Sequence, residues 1–334
     1  MSRLAIAIGD PTGIGPEVLA KALAAGVVAD VLLVGDPQVW GDAQLIARVK
    51  VPARSASRPG PVTREGVPFL AVPVADRAWE IGRVSPAAGR AVAEWLKEAV
   101  RLAIDGLADA VVFAPLNKQA IILGGHRVRD EYELIATFVH ASDHDEVNVI
   151  PHPAGEGLLW VARATSHVPL RDVPQLLTQQ RVLRTIRLAH RVAVAAGAAS
   201  PRVGVAAFNP HAGENGTLGD EEVRIIRPVV QEAVTERIDA SGPHPADHIF
   251  RMARAGRFDA VVAMYHDQAQ IATKLLGFDR GVSIGIGYPF ITVTPSHGTA
   301  FDIAGKGVAD PQPMIQALTL ADQLVRAGFK PSLG

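Results

Sequence analysis

Three histidines, His167, His211 and His266, each stand just past the end of a short apolar, strand-like run, at residues 158–164, 203–208 and 260–265. In an open α/β sheet, ligands collect where the carboxyl ends of the strands meet, so three histidines placed this way can converge on one point. Neutral imidazole is the commonest protein ligand for zinc and related divalent ions, and three of them leave a coordination position open to a substrate. The competing reading is that they cap strands or lie in loops, since the chain has 11 histidines.

Short β-branched runs alternate with longer alanine- and leucine-rich stretches, the pattern of a parallel or mixed sheet covered by helices. A strand is expected at residues 4–8, followed by a loop over 9–15 and a helix to about residue 25, with Pro16 at its first position. A second strand is expected at 31–34, and the proline- and arginine-rich region 51–76 reads as irregular or edge-like. Ser85 and Pro86 form a cap and first-turn pair for a helix through 107, and 110–113 follows as a strand ending in Ala114-Pro115-Leu116-Asn117-Lys118. Further helices are expected at 173–196, 221–234 and 313–327. There is no repeat or long linker, so two domains are expected to exchange the chain: residues 1–130 with 305–334, and residues 131–304.

Composition narrows the function classes. With 334 residues, 48% of them hydrophobic, the chain can bury one or two substantial cores. A formal net charge of −1 offers no field to attract nucleic acid or an anionic membrane. Cysteine is absent, which removes disulfides, thiolate metal sites and cysteine nucleophiles. The opening residues are too short an apolar stretch for a signal peptide, and no run is long enough to span a bilayer. A cytoplasmic, soluble enzyme is the expectation.

The glycine-rich loops do not fit the dinucleotide fingerprint. After Gly13-Ile14-Gly15 the third glycine would fall at Val18, and after Gly285-Ile286-Gly287 it would fall at Phe290. The first loop either holds an anion at a helix N-terminus or is a tight turn. A different string, from His297-Gly298-Thr299-Ala300-Phe301-Asp302-Ile303 to Gly307, closely resembles the adenosine-binding loop of the isopropylmalate and isocitrate dehydrogenases. That resemblance implies a two-domain α/β/α fold of their kind, with non-Rossmann binding of NAD. His297, Gly298, Thr299, Ala300, Asp302 and Ile303 would be its cofactor contacts.

Four further motifs, Gly9-Asp10-Pro11-Thr12-Gly13-Ile14-Gly15-Pro16-Glu17, Ala114 to Lys118, Asn209-Pro210-His211-Ala212-Gly213-Glu214 and Met264-Tyr265-His266-Asp267-Gln268, resemble the signatures of the 4-hydroxythreonine-4-phosphate dehydrogenase family. They occur in that family's order and spacing. The resemblance implies a homodimer with a shared active site, its interface and metal site in the second domain, where His167, His211 and His266 bind zinc, magnesium, manganese or cobalt. It also implies an NAD (or NADP) oxidation of a secondary alcohol with decarboxylation, and places Lys274 and Asp247 near the substrate. Lys118, at a strand end, is a second candidate for neutralising an anion or moving a proton, and Asp267 is a candidate to orient His266.

The departures concern the substrate. Where the family has Gly-His-Thr-Glu, this chain reads Asp130-Glu131-Tyr132-Glu133, a family arginine is replaced by Thr292, and an asparagine by Ser283. Glu131 would repel a phosphate, and losing the arginine removes a bidentate contact to one. The substrate is therefore expected to be a hydroxy acid or cis-dihydrodiol acid without phosphate, as for the related terephthalate dihydrodiol dehydrogenases, whose local sequence this chain also lacks. Arg127 and Arg129 either compensate or serve the surface. The alternatives are a true 4-phosphohydroxy-L-threonine, 4-phosphothreonate or 4-phosphoerythronate dehydrogenase and, in other classes, a zinc hydrolase or an inactive binding protein.

Overall fold

The computed structural model describes residues 1–26, 28–277 and 280–332. The first segment forms β1 (Arg3–Ala7), α1 (Gly15–Ala25), β2 (Asp30–Gly35), α2 (Pro37–Ala47), β3 (Ala53–Ser55), β4 (Val67–Ala71), α3 (Pro86–Ile104), β5 (Ala110–Phe113), α4 (Lys118–Leu123) and α5 (Glu131–Val139). The middle segment forms β6 (Asp145–Pro151), β7 (Leu158–Arg163), α6 (Val173–Leu176), α7 (Gln179–Ala195), β8 (Val203–Ala206), α8 (Arg227–Thr235), β9 (Ala240–His244), α9 (Ala246–Arg254), β10 (Ala260–Ala263) and α10 (His266–Gly277). The last contributes β11 (Val282–Ile286), β12 (Ile291–Pro295) and α11 (Gln312–Arg326).

These elements divide into two compact units, Met1–Asp145 with Val282–Ser332, and Glu146–Gly281. Sequence reading puts the exchange points at 130/131 and 304/305, whereas the units change over at 145/146 and 281/282. The reason is strand pairing: β12 runs parallel to β5 and β11 antiparallel to β12, so residues 282–295 belong to the first unit's sheet. Strand order in that unit is β3-β4-β2-β1-β5-β12-β11, parallel except at β11. In the second unit it is β6-β7-β10-β8-β9, parallel except at β6.

The central strands are continuously apolar rather than alternating, as strands covered on both faces must be. All four residues of each of β5, β8 and β10 are buried. Residues 51–76, expected to be edge-like, include the edge strand β3 and its inner neighbour β4. They are pinned from inside: the buried indole N–H groups of Trp40 and Trp95 donate to Val51 O and Val72 O, each at 2.9 Å. The Ser85 cap is present, accepting from Ala88 N.

The helix expected over 173–196 is two helices, α6 and α7. Thr178 takes extended backbone and caps α7 by accepting from Arg181 N at 3.2 Å, a better use of a threonine than mid-helix. The helix expected over 221–234 opens with a π-helical turn at Glu222–Ile226 before α8. Among the described residues no helix is long and apolar enough to cross a membrane.

Candidate active site

In the second unit the adjacent parallel strands β7, β10, β8 and β9 run, at their carboxyl ends, into His167, His266, His211 and Asp247 in that spatial order. Side chains stitch those ends together. Thr165 Oγ1 donates to Met264 O at 2.8 Å, tying the end of β7 to that of β10. Gln268 accepts from Met264 N at 2.7 Å and donates to Ala207 O at 2.8 Å, tying β10 to β8.

His266 is not in a loop but is the first residue of α10. Its Nδ1 lies 2.7 Å from Asp267 Oδ1, which leaves Nε2 as the nitrogen available to a ligand. The ring of His167 lies 5.3 Å, centroid to centroid, from that of His266. Both rings line a cavity of about 180 Å³ with Thr165, Ser166, Tyr265 and Asp267. Two of the three expected histidines lie together here, and among the described residues no group of three or more His, Asp or Glu side chains is placed to hold a metal ion.

His211 opens a turn whose backbone explains its placement. Residues 211–215 all have positive φ, at 53°, 55°, 72°, 42° and 57°. Only Gly213 and Asn215 take that region readily, so His211, Ala212 and Glu214 each cost roughly 1–2 kcal/mol of backbone strain. The turn is held by Glu222, itself 0% exposed, whose carboxylate accepts from Phe208 N (2.8 Å), Asn209 N (2.7 Å) and Asn209 Nδ2 (2.9 Å). Gly213 must be glycine twice over, since a Cβ there would stand 2.6 Å from Glu222 Oε2. His167 also has left-handed backbone, φ 53°.

Lys274 and Asp247 are exposed, in the last turn of α10 and the first turn of α9. Lys118 begins α4 in the first unit and lies 3.5 Å from Glu131, so the acid expected to repel a phosphate has a cation beside it. Asp130-Glu131-Tyr132-Glu133 is the first turn of α5: Asp130 caps it by accepting from Glu133 N, and Glu133 accepts from Arg129 N. Arg129 is engaged by Glu133 at 3.2 Å.

Three expected substrate contacts are buried instead. Thr292 is 0% exposed and donates to Gly285 O at 3.3 Å, while Ser283 shares a 3.0 Å hydrogen bond with Ser296. The Tyr132 ring, 3% exposed, covers Gly285 so closely that a Cβ there would meet it at 2.7 Å. The cause is β11–β12 pairing, which sets Thr292 directly opposite Gly285 and turns both inward.

The string 297–307 folds against the first glycine loop. Ile14 N donates to Thr299 O at 3.0 Å, and a Cβ on Gly13 would stand 2.6 Å from Thr299 Cβ. On α1, Lys21 donates to Gly307 O (3.0 Å) and Ala309 O (2.8 Å) and pairs with Glu17, which accepts from Ala309 N. Ala300 has φ 42°, His297 Nδ1 lies 3.0 Å from Gly298 O, and Gly298 and Asp302 face solvent. Thr299 is buried, 7% exposed, and Ile303 N donates to Ala300 O. A braced loop with an exposed glycine edge and an exposed carboxylate fits a flat polar ligand.

Asp10 in the first loop is 0% exposed; its Oδ1 accepts from Thr12 N and Oγ1, while Oδ2 has no hydrogen-bond partner. Burial pushes its carboxyl above the ordinary range, against the downward pull of the two Thr12 hydrogen bonds. A raised folded value means that the stability from the neutral form is fully present below the unfolded value near ~4 and is lost as pH rises through the folded one. Asp10→Asn keeps the acceptor for Thr12 and removes the ionisation, so its gain in Tm over the parent should be larger at pH 8 than at pH 4. An equal effect at both pH values would contradict the shift.

The sequence alone gives no role to Arg163, Glu222 or Gln268, although Gln268 closes the motif 264–268. For Arg163 the signal was a cation inside the apolar run 158–164, because a buried arginine must have partners.

The family model described as pyridoxal phosphate biosynthetic protein PdxA matches residues 27–321. Relatives include the 4-hydroxythreonine-4-phosphate dehydrogenase of Geobacter metallireducens, 40% identical over 97% of this chain and 96% of that one. The D-threonate 4-phosphate dehydrogenase of Salmonella typhimurium is 39% identical over 96% and 98%. Among solved structures, the 4-hydroxythreonine-4-phosphate dehydrogenase of Klebsiella pneumoniae superposes with a TM-score of 0.78 at 37% identity, covering 97% and 98%. The terephthalate 1,2-cis-dihydrodiol dehydrogenase of Burkholderia xenovorans gives 0.66 at 30%, covering 96% and 97%. A β-decarboxylating dehydrogenase from Thermococcus kodakarensis, at 18% identity and 0.55 over 99% and 85%, shares the fold, in keeping with the expected isopropylmalate/isocitrate dehydrogenase-like architecture.

Proposed function

The chain belongs to the PdxA family of pyridoxal phosphate biosynthetic proteins, a family of dehydrogenases acting on CH–OH, and on that footing we propose a nicotinamide- and divalent-metal-dependent oxidation of a hydroxy acid's secondary alcohol with decarboxylation. The observation that carries this reading is the His167–His266 pair at adjacent strand ends, with the second imidazole oriented by Asp267. The pair suits two positions of a divalent ion's shell, and His211 would supply the third at an interface between two copies of the chain.

If bound, the ion would supply Lewis-acid polarisation of substrate oxygens and the nicotinamide a hydride acceptor. The chain's own part is to hold and orient. Asp267 fixes the facing of His266, Lys274 offsets negative charge on the acid, and Asp247 accepts from a substrate hydroxyl. The braced loop 297–303 holds the nucleotide through His297, Gly298, Thr299, Ala300, Asp302 and Ile303.

For the substrate, burial of Thr292 and Tyr132 and the Glu131 carboxylate support an acid without a phosphate at that place. The phosphate esters in the names of the relatives support a second reading, a phosphorylated hydroxy acid, with Lys118 as its cation. NADH formation by metal-replete protein separates them. We expect turnover of a terephthalate-type cis-dihydrodiol acid and none of 4-phosphohydroxy-L-threonine or D-threonate 4-phosphate. Turnover of either phosphate ester alone would select the second reading.

A further inference from the structure

Next to the histidine pair along the chain is a polar cluster, centred on the buried Arg163 and Asn148, that the proposed chemistry does not use. Arg163, the last residue of β7, has a side chain with 0% exposure. Its Nε donates to Ser166 Oγ at 2.7 Å, one terminal nitrogen donates to Glu146 Oε2 at 2.7 Å, and the other to Asn148 Oδ1. Asn148 donates to Glu146 Oε1 at 2.8 Å and accepts from Gln270 Nε2 at 2.9 Å.

The two outer contacts of this cluster lead to the two histidines. Ser166 directly precedes His167, which has left-handed backbone, and both residues line the cavity. Gln270 sits one turn after His266 on α10. A guanidinium is planar, with donors in a fixed fork, so its bonds set distance and angle together. Stability alone is a weak reason for a buried ion pair, since apolar residues of the same volume would serve as well.

We infer that Arg163 is a positioning residue: through Ser166 on one side and Asn148–Gln270 on the other, it sets the separation and facing of His167 and His266. This inference rests on the reading of those histidines as ligands to a divalent ion. Loss of a group bonded directly to a metal ligand costs metalloproteins about 10- to 100-fold in metal affinity, so for a support one step further out a loss of up to about 10-fold is expected.

The test is titration of the metal-free protein with Co²⁺, followed by calorimetry and by the visible ligand-field bands. Arg163→Met combined with Glu146→Gln removes the ion pair without leaving a lone buried charge. Ser166→Ala cuts only the link to His167 and spares the rest of the cluster, so it reports even if the double variant fails to fold. Both are expected to bind Co²⁺ more weakly, the double variant by up to about 10-fold, with altered ligand-field bands, and Ser166→Ala also with a lowered melting temperature, because Arg163 Nε loses its partner. Parent-like affinity and spectrum in a folded variant overturn the positioning role and leave the metal reading intact. Failure of the parent to bind Co²⁺ overturns both.

Discussion

Replacing His266 by alanine is expected to lower kcat/KM for NADH formation by more than about 100-fold, the upper range for losing a mere support of a metal ligand. The fold should hardly notice. The side chain is 38% exposed, and among the described residues its one hydrogen bond is to the neighbouring Asp267. Substitutions at such places stay within about 0.5 kcal/mol. Asp267→Asn tests the other half of the argument: it keeps the size and weakens only the acceptor facing Nδ1, so an intermediate loss, about 10- to 100-fold, is expected. Steady-state kinetics with a thermal melt of each variant decides the matter. Near-parental activity in His266→Ala would remove the metal reading of the pair. Equal losses in the two variants would instead mean that the carboxylate touches the reacting groups itself.

Glu222→Ala is expected to produce the largest loss of stability of any substitution considered. The carboxylate is the acceptor for two backbone N–H groups and an amide at the entrance of the left-handed turn. Leaving those two partly buried N–H groups without an acceptor costs up to about 1–3 kcal/mol each. The strain in His211, Ala212 and Glu214 would then relax by unwinding the turn, carrying His211 away with it. Urea denaturation should show a loss of up to about 2–6 kcal/mol with little change in the denaturant slope. Glu222→Gln is the control: one oxygen still accepts from Phe208 N and Asn209 N, while its amide nitrogen faces the Asn209 amide, so a loss of about 1 kcal/mol is expected. If alanine and glutamine cost the same, the hydrogen bonds are not what hold the turn.

What could be read from the sequence is what depends on near neighbours along the chain. Apolar runs and their breaks located the strands that precede all three histidines. Ser85-Pro86 marked a helix start because a hydroxyl cap and a proline act within one turn. The string from His297 resembles a nucleotide-binding loop in residue order, and residue order is a local signal. The site's outline, with histidines at the carboxyl ends of parallel strands, followed from those local signs and a general rule about open sheets.

What only the tertiary structure decided depends on residues far apart in the chain. The return of β11 and β12 to the sheet of β5 moved the domain boundary, and no local pattern in 282–295 says which sheet will take them. The same pairing buried Thr292 and Ser283, because facing in a ladder is fixed by the partner strand. Glu131 is an acid by sequence, but only folding sets Lys118 beside it. The left-handed course of residues 211–215 is unfavourable by local preference and exists because Glu222, from the next helix, is buried against it. Arg163 is a charge in an apolar run until Glu146, Asn148 and Ser166 surround it. Propensity and capping act over a few bonds, and so a sequence carries them openly; the satisfaction of a buried polar group is a property of whichever distant atoms arrive, and only the folded chain determines it.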